Sequence, residues 1–294
     1  MRWRALAPGK VNLCLFLGGP RADGRHALVT VFESVSLADE LELTVRASGE
    51  DEIICRGVEG PNLVEATIAG LRARGWSGPP VCVQVCKWIP VAGGMGGGSA
   101  DAAATIRLAS ALAPLDAATA TELAVALGAD VPSQLAPGVA LGTGAGEIIE
   151  PAAALAEHAY VIVPLATELS TAAVFAQADR LGLGRDPEEL AARRQAVAAA
   201  LHPGARWPDE LMVNDLQPAA CSLCPEIERA LTAAREAGAD GAFVSGSGPT
   251  TVALFWGADA RERAADAEAA LAGRYPEAYA AEPVTADFGA PQRV

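Results

Sequence analysis

The first part of the chain alternates apolar and polar positions with the period of two that a half-buried strand requires. Leu41-Glu42-Leu43-Thr44-Val45 shows the alternation most clearly. Residues 2–18 read as two short strands interrupted at Ala7-Pro8-Gly9; in the second, Lys10 and Asn12 share one face while Val11, Leu13 and Leu15 take the other. Further strands are predicted over 28–37, 40–46, 52–55 and 81–88. The period then lengthens. Asn62 caps a helical pattern running to Arg74, with Leu63, Ala66, Ile68 and Leu71 near helical spacing. Helices are predicted over 99–112 and 117–127, the second closing at Gly128. Residues 138–150 read as a hairpin turning at Gly144-Ala145-Gly146.

The later half is more helical. An apolar strand over 160–163 precedes predicted helices over 170–181, 187–201, 225–237 and 258–271. Strands at 242–245 and 250–256 flank a glycine turn, and a last strand is predicted over 281–288. Early strands and later helices argue an α+β class rather than a doubly wound sheet. The change of pattern at 151–157 divides the chain into an expected N-terminal domain, 1–155, and a C-terminal domain, 156–294.

Composition narrows the function. The 294 residues are 51% apolar, enough for a large core, and the formal charge of −14 leaves no general basic surface for nucleic acid or anionic lipid. An anionic ligand therefore needs local positive groups, and lysine is scarce: Lys10 and Lys87 are the only two among 22 basic residues. The six cysteines show no metal-ligand spacing with histidine, and the Cys221/Cys224 pair stands before a helix start. Unpaired thiols suggest a reducing, cytoplasmic setting. The apolar run 11–17 carries Asn12 and ends in Gly-Gly-Pro, so it reads as a strand rather than a signal peptide. No window has the length and apolarity of a membrane span.

The candidate chemistry centres on IPVAGGMGGGSADAAAT, residues 89–105, where Met95 alone interrupts the glycines between 93 and 98. Glycine lets backbone N–H groups turn towards an anion, and the helix that follows adds its own unpaired N–H groups and positive dipole end. Ser99 and Asp101 stand where a capping oxygen is wanted. A phosphate cradle and a capped flexible loop both fit this stretch alone. It lacks the G-K-[ST] ending of a P-loop and the distant acidic residue of a dinucleotide fold. Three further stretches carry polar groups in apolar or tightly turned settings: Lys10 and Asn12 after Pro8-Gly9, Asp130 in LGADVP, and the small-residue turn SGSGPTT at 245–251. A phosphate loop with a lysine, a carboxylate and a hydroxyl would make a phosphoryl-transfer site.

Taken together these stretches resemble the GHMP kinase superfamily. PVAGGMGGGSADAA is similar to its ATP loop and SGSGPTTVALF to its C-terminal glycine motif; APGKVNLCL at 7–15, RADGRHAL at 21–28, VEGPNLVEAT at 58–67 and LGADVP at 127–132 follow in the superfamily's order. The likeness is strongest to the branch that phosphorylates the 2-hydroxyl of a cytidyl diphosphate-linked methylerythritol in isoprenoid precursor synthesis by the non-mevalonate route. The resemblance implies a ribosomal protein S5 domain 2-like N-terminal domain, a ferredoxin-like C-terminal domain, and ATP and Mg²⁺ as cofactors. It implies Lys10 and Asp130 as the catalytic pair. Pro90, Val91, Ala92, Gly93, Gly94, Met95, Gly96, Gly97, Gly98, Ser99 and Ala100, with Gly246 and Gly248, would surround the nucleotide, Ser99 also standing near the metal. Asn12, Arg25, His26 and Phe175 would meet the substrate, His26 at the cytosine edge and Phe175 stacking. Arg25 departs from the branch's usual tyrosine, leaving open stacking on the base, pairing with the diphosphate, or a changed substrate. Ser133-Gln134 is a smaller departure. A homoserine- or mevalonate-type kinase and a non-catalytic nucleotide-binding protein of the same fold stay as alternatives. The expected partners are small molecules, with no nucleic acid or membrane, in a monomer or weak homodimer.

Overall fold

The computed structural model describes residues 1–57, 62–90 and 93–294. Its elements run β1 (Arg2–Pro20), β2 (His26–Val45), β3 (Glu52–Cys55), α1 (Leu63–Ala73), β4 (Val81–Cys86), α2 (Gly97–Leu112), α3 (Ala117–Leu127), α4 (Val131–Gln134), β5 (Val139–Thr143), β6 (Ile148–Ala152) and β7 (His158–Val163). They continue as α5 (Thr171–Leu181), α6 (Pro187–Ala200), α7 (Gln217–Leu223), α8 (Glu226–Glu236), β8 (Gly241–Val244), β9 (Thr251–Trp256), α9 (Ala260–Leu271), β10 (Tyr279–Ala281) and β11 (Gln292–Arg293). The α+β expectation is met.

A seven-stranded sheet takes the order β11-β1-β2-β4-β3, with β5 on β2 and β6 on β5. Both long strands differ from the sequence reading. Pro8-Gly9 does not end the first strand, because a register shift between Pro8 and Lys10 absorbs the missing N–H and pairing with β2 resumes. A second shift, between Asn12 and Cys14, reverses which face each later residue occupies. Val11 and Leu13, then Cys14 and Phe16, enter the central core, whereas Leu15 and Leu17 pack with α5 and α7. Leu15 therefore shares the Lys10 and Asn12 side of the strand instead of opposing it. Strand β2 spans both predicted segments by changing partner: its first half pairs with β5 at Thr30–Glu33 and its second with β4 at Glu40–Val45.

The second sheet is four-stranded and antiparallel, ordered β10-β7-β9-β8. Every residue of β7 is buried, since both of its faces are covered. Ala159, Val161 and Val163 face the alanine-lined surfaces of α8 and α9, while Tyr160 and Ile162 join Val11, Phe16, Val31 and Val35 of the first sheet in one shared core. The predicted strand over 281–288 is replaced by β10, a 3₁₀ turn Ala286–Gly289, and β11, which returns to the edge of β1. After Ala281 the chain leaves β7 for β2, where Pro283 bridges Val35 and the Ser36 N–H donates to the Glu282 carbonyl, and this change of partner ends the strand. Helices α4 and α7, of four and seven residues, are too short to display a period in the sequence.

A polar cluster crosses the shared core. The Glu33 carboxylate accepts from the Tyr160 hydroxyl and lies 2.9 Å from His158 Nε2, while His158 Nδ1 lies 2.6 Å from the Ala156 carbonyl. With an acceptor at each ring nitrogen, the cation is the form that satisfies both contacts. Burial opposes the charged ring, but the Glu33 contact outweighs it and His158 titrates above its ordinary 6.5. A raised histidine stabilises the fold fully below that ordinary value and loses the contribution as pH rises through the folded value. The melting-temperature gap between wild type and His158→Gln should therefore be wider at about pH 6 than at about pH 8.5. Equal gaps measured by circular dichroism at the two pH values would contradict the charged pair.

Candidate active site

A cleft of about 1150 Å³ opens between the two sheets. Its walls come from the Lys10–Leu15 part of β1, the start of β2, the glycine loop leading into α2, Asp130 before α4, the head of α5 and the Gly246-Ser247 turn. Val91 and Ala92 lie outside the described residues; Pro90 lines the cleft.

Gly96 caps α2 in a left-handed conformation, φ 68°, with no side-chain bond, so neither Ser99 nor Asp101 fills the expected capping role. A side-chain cap is not needed when glycine lets the backbone turn this sharply. The N–H groups of Gly96, Gly97, Gly98 and Ser99 precede the first helical bond, which runs from the Ala100 N–H to Gly96 O at 2.8 Å. Ala100 thus spends its donor inside the helix and buries its methyl in the core, rather than facing an anion. Met95 likewise turns its side chain into the core. Gly94, φ 74°, packs so closely on the 245–248 turn that a Cβ there would stand 2.9 Å from the carbonyl oxygens of Ser245 and Gly248. Gly93 packs similarly near Thr250. Gly248 therefore backs the loop, beside Val244 and Ile227, while Gly246 faces the cleft near Lys10 and Asn12.

Lys10 is held to this loop by main chain and side chain together. Its N–H donates to Met95 O at 3.0 Å, and its ammonium donates to Gly94 O at 3.0 Å and Asn12 Oδ1 at 2.7 Å. Asp130 Oδ2 stands 3.6 Å from the same ammonium, an ion pair with the carboxylate open to the cleft. Asn12 donates in turn to Thr30 Oγ1 at 2.7 Å, and Thr30 donates to Cys14 O at 2.6 Å. These bonds make Asn12 a holder of Lys10, whatever else it meets. Thr30 went unnoticed in the sequence, as did Asn214, whose amide donates to Val244 O and Gly246 O at 2.8 and 2.7 Å and so sets the glycine turn. Nothing local signals either residue, because their partners are distant in sequence.

At the far end, His26 meets Phe175 with ring centroids 5.2 Å apart, and its Nε2 lies 2.8 Å from Asp179 Oδ1. Phe175 and Asp179 are one turn apart on α5, which is why one helix face supplies both contacts. Arg25 lines the same end, but its guanidinium turns to Asp23 at 2.9 Å, with Glu147 at 3.7 Å. Among the described residues no group of three or more His, Cys, Asp or Glu side chains could hold a metal unaided. All six cysteines are free.

Family comparison joins these observations. The sequence model described as GHMP kinases N terminal domain matches residues 62–145, and that described as GHMP kinases C terminal matches residues 196–272. The chain belongs to the GHMP kinase family. Within that family it is similar to the 4-diphosphocytidyl-2-C-methyl-D-erythritol kinase of Streptomyces coelicolor, at 44% identity covering 86% of this chain and 87% of the relative. The enzyme of the same name from Rhodococcus jostii is 42% identical, covering 91% and 88%. A solved 4-(cytidine 5'-diphospho)-2C-methyl-D-erythritol kinase superposes with a TM-score of 0.73 at 31% identity, covering 95% of this chain and 98% of that one. A Cytophaga hutchinsonii homoserine kinase shares the GHMP kinase fold at TM-score 0.67 and 17% identity, covering 100% and 97%. Among the described residues no helix is long and apolar enough to cross a membrane.

Proposed function

We propose that this GHMP kinase transfers the γ-phosphoryl group of ATP to the 2-hydroxyl of 4-diphosphocytidyl-2-C-methyl-D-erythritol. The observation that carries the reading is a cleft with two chemically different ends: a helix N-terminus with Lys10 and Asp130 at one, and the His26–Phe175 ring pair at the other. The first suits phosphates and a reacting alcohol; the second suits a flat polar base. The similarity to enzymes carrying that substrate in their names supports the same choice.

In this reading the substrate oxygen forms a bond to the γ-phosphorus as the bond to the ADP oxygen breaks, and Asp130 takes the hydroxyl proton. Lys10, anchored by Asn12 and Gly94 O, presents its ammonium to the charge on the transferring group. The N–H groups from Gly96 to Ser99 hold the donor's phosphates. Mg²⁺ fits the donor set, because this ion takes one or two protein oxygens and completes its shell with phosphates and water. Ser99 Oγ would serve it, and the ion would neutralise phosphate charge. We place the division between the two domains at 155/156, with β11 returning across it.

One observation keeps a second reading in view: Arg25 engages Asp23 where the branch carries a stacking tyrosine. A coupled ADP-release assay on the cytidyl substrate, homoserine and mevalonate separates the readings. The cytidyl substrate should give kcat/KM at least about 100-fold above the others, well within the ~10⁴-fold discrimination available when buried polar groups must be matched. Preference for homoserine or mevalonate would overturn the assignment.

A further inference from the structure

Lys10 pairs with Asp130 in the cleft; the chain's other lysine, Lys87, lines the same cleft together with Asp101. Lys87 follows β4, and its ammonium, largely buried, bonds to the Asp39 carboxylate and lies 2.7 Å from Asp101 Oδ2. Asp39 is completely buried, and its other oxygen accepts the N–H groups of Trp88 and Ile89 at 2.6 and 2.8 Å. Those residues lead directly into the phosphate loop. Asp101 stands in α2, just after the loop ends. A Cβ on Gly97 would stand 3.3 Å from Lys87 Nζ and 3.1 Å from Ile89 Cγ2, so the first turn of α2 rests on the same group.

One ammonium therefore joins the segment entering the loop to the helix leaving it. This arrangement is costly to assemble. Three ionisable groups lose most of their hydration, and burial pushes the Asp101 carboxyl up to about 7 against the pull of Lys87. Its Oδ1 has no partner among the described residues. Apolar side chains of similar volume could fill such a place at lower cost, so a role beyond packing is the better explanation.

We propose that Asp39, Lys87 and Asp101 form a strut that sets the separation of the two roots of the phosphate loop, so that nucleotide affinity depends on it while the cytidyl-substrate end of the cleft does not. Asp39, buried and outside the cleft lining, is a positioning residue that acts through the loop backbone, while Lys87 and Asp101 complete the strut from positions that also line the cleft. The loop's donors serve phosphate only when held at a fixed spacing, and loosening either root spreads them. The proposal rests on the phosphoryl-transfer reading of the cleft.

Lys87→Met alone would leave two buried carboxylates facing one another and can prevent folding. The informative protein is Lys87→Met/Asp101→Asn, which removes one cation and one anion together. Calorimetric titration with a non-hydrolysable ATP analogue should give a Kd raised by at least about 10-fold. In turnover assays KM for ATP should rise equally while KM for the cytidyl substrate stays within about twofold. Lys87→Arg, which can donate to both carboxylates, should recover most of the nucleotide affinity. A folded double variant with analogue affinity within about twofold of wild type, or with both KM values raised alike, would overturn the strut. If wild type turns over no alcohol, the phosphoryl-transfer reading fails and the calorimetric ratio still decides the strut.

Discussion

Asp130→Asn should lower kcat by at least about 100-fold while KM for ATP changes by no more than about threefold. The substitution preserves size and removes the proton acceptor. Asp130 Oδ2 stands 3.6 Å from Lys10 Nζ at the head of a four-residue helix, and its side chain makes no capping bond there. It is also 38% exposed, so its loss should move the melting temperature little. The combination of intact folding, intact ATP binding and lost turnover separates a catalytic carboxylate from a structural one. Asp39 offers the contrast, because its oxygens serve Lys87 and two backbone N–H groups in the interior. A kcat for Asp130→Asn within about tenfold of wild type would remove it from the proton-transfer role.

Gly94→Ala should be nearly as damaging, for a steric reason. At φ 74° an alanine pays the left-handed penalty of about 1–2 kcal/mol, and its methyl would lie 2.9 Å from two backbone carbonyls that cannot rotate away. Relief requires the loop and the 245–248 turn to separate. Lys10 must follow, since its ammonium donates to the Gly94 carbonyl. The expected result is a KM for ATP raised at least about 10-fold, with kcat also reduced and a melting temperature lower by about 2–8 °C. Gly98→Ala is the matched control for stability. Its methyl would meet only Leu63 Cδ1, at an ordinary 3.6 Å. Equal melting temperatures for the two variants would show that the close approach at Gly94 is not what holds the loop.

Much of this site was legible in the sequence because its parts are contiguous. The glycine run, the Lys10 strand and LGADVP each announce themselves through residue types that a solvent-facing segment does not need. The scarcity of lysine pointed to Lys87 before any partner was known. What stayed hidden depends on register or on distant contacts. The bulge between Asn12 and Cys14 turns Leu15 to the cleft side, and periodicity alone assumes an unbroken strand. Thr30 and Asn214 act through partners on other elements. The capping expectation failed at Ser99 and Asp101 because Gly96 turns the chain by itself, which frees Asp101 to meet Lys87. The returning β11 could not be foreseen from a two-residue strand.

Transfer of labelled phosphorus tests the proposed reaction most directly. With γ-labelled ATP, Mg²⁺ and 4-diphosphocytidyl-2-C-methyl-D-erythritol, the label should appear in a new phosphomonoester on the substrate's 2-oxygen, the diphosphate link remaining intact by phosphorus NMR. Label found only in inorganic phosphate, or on a different oxygen, would contradict it.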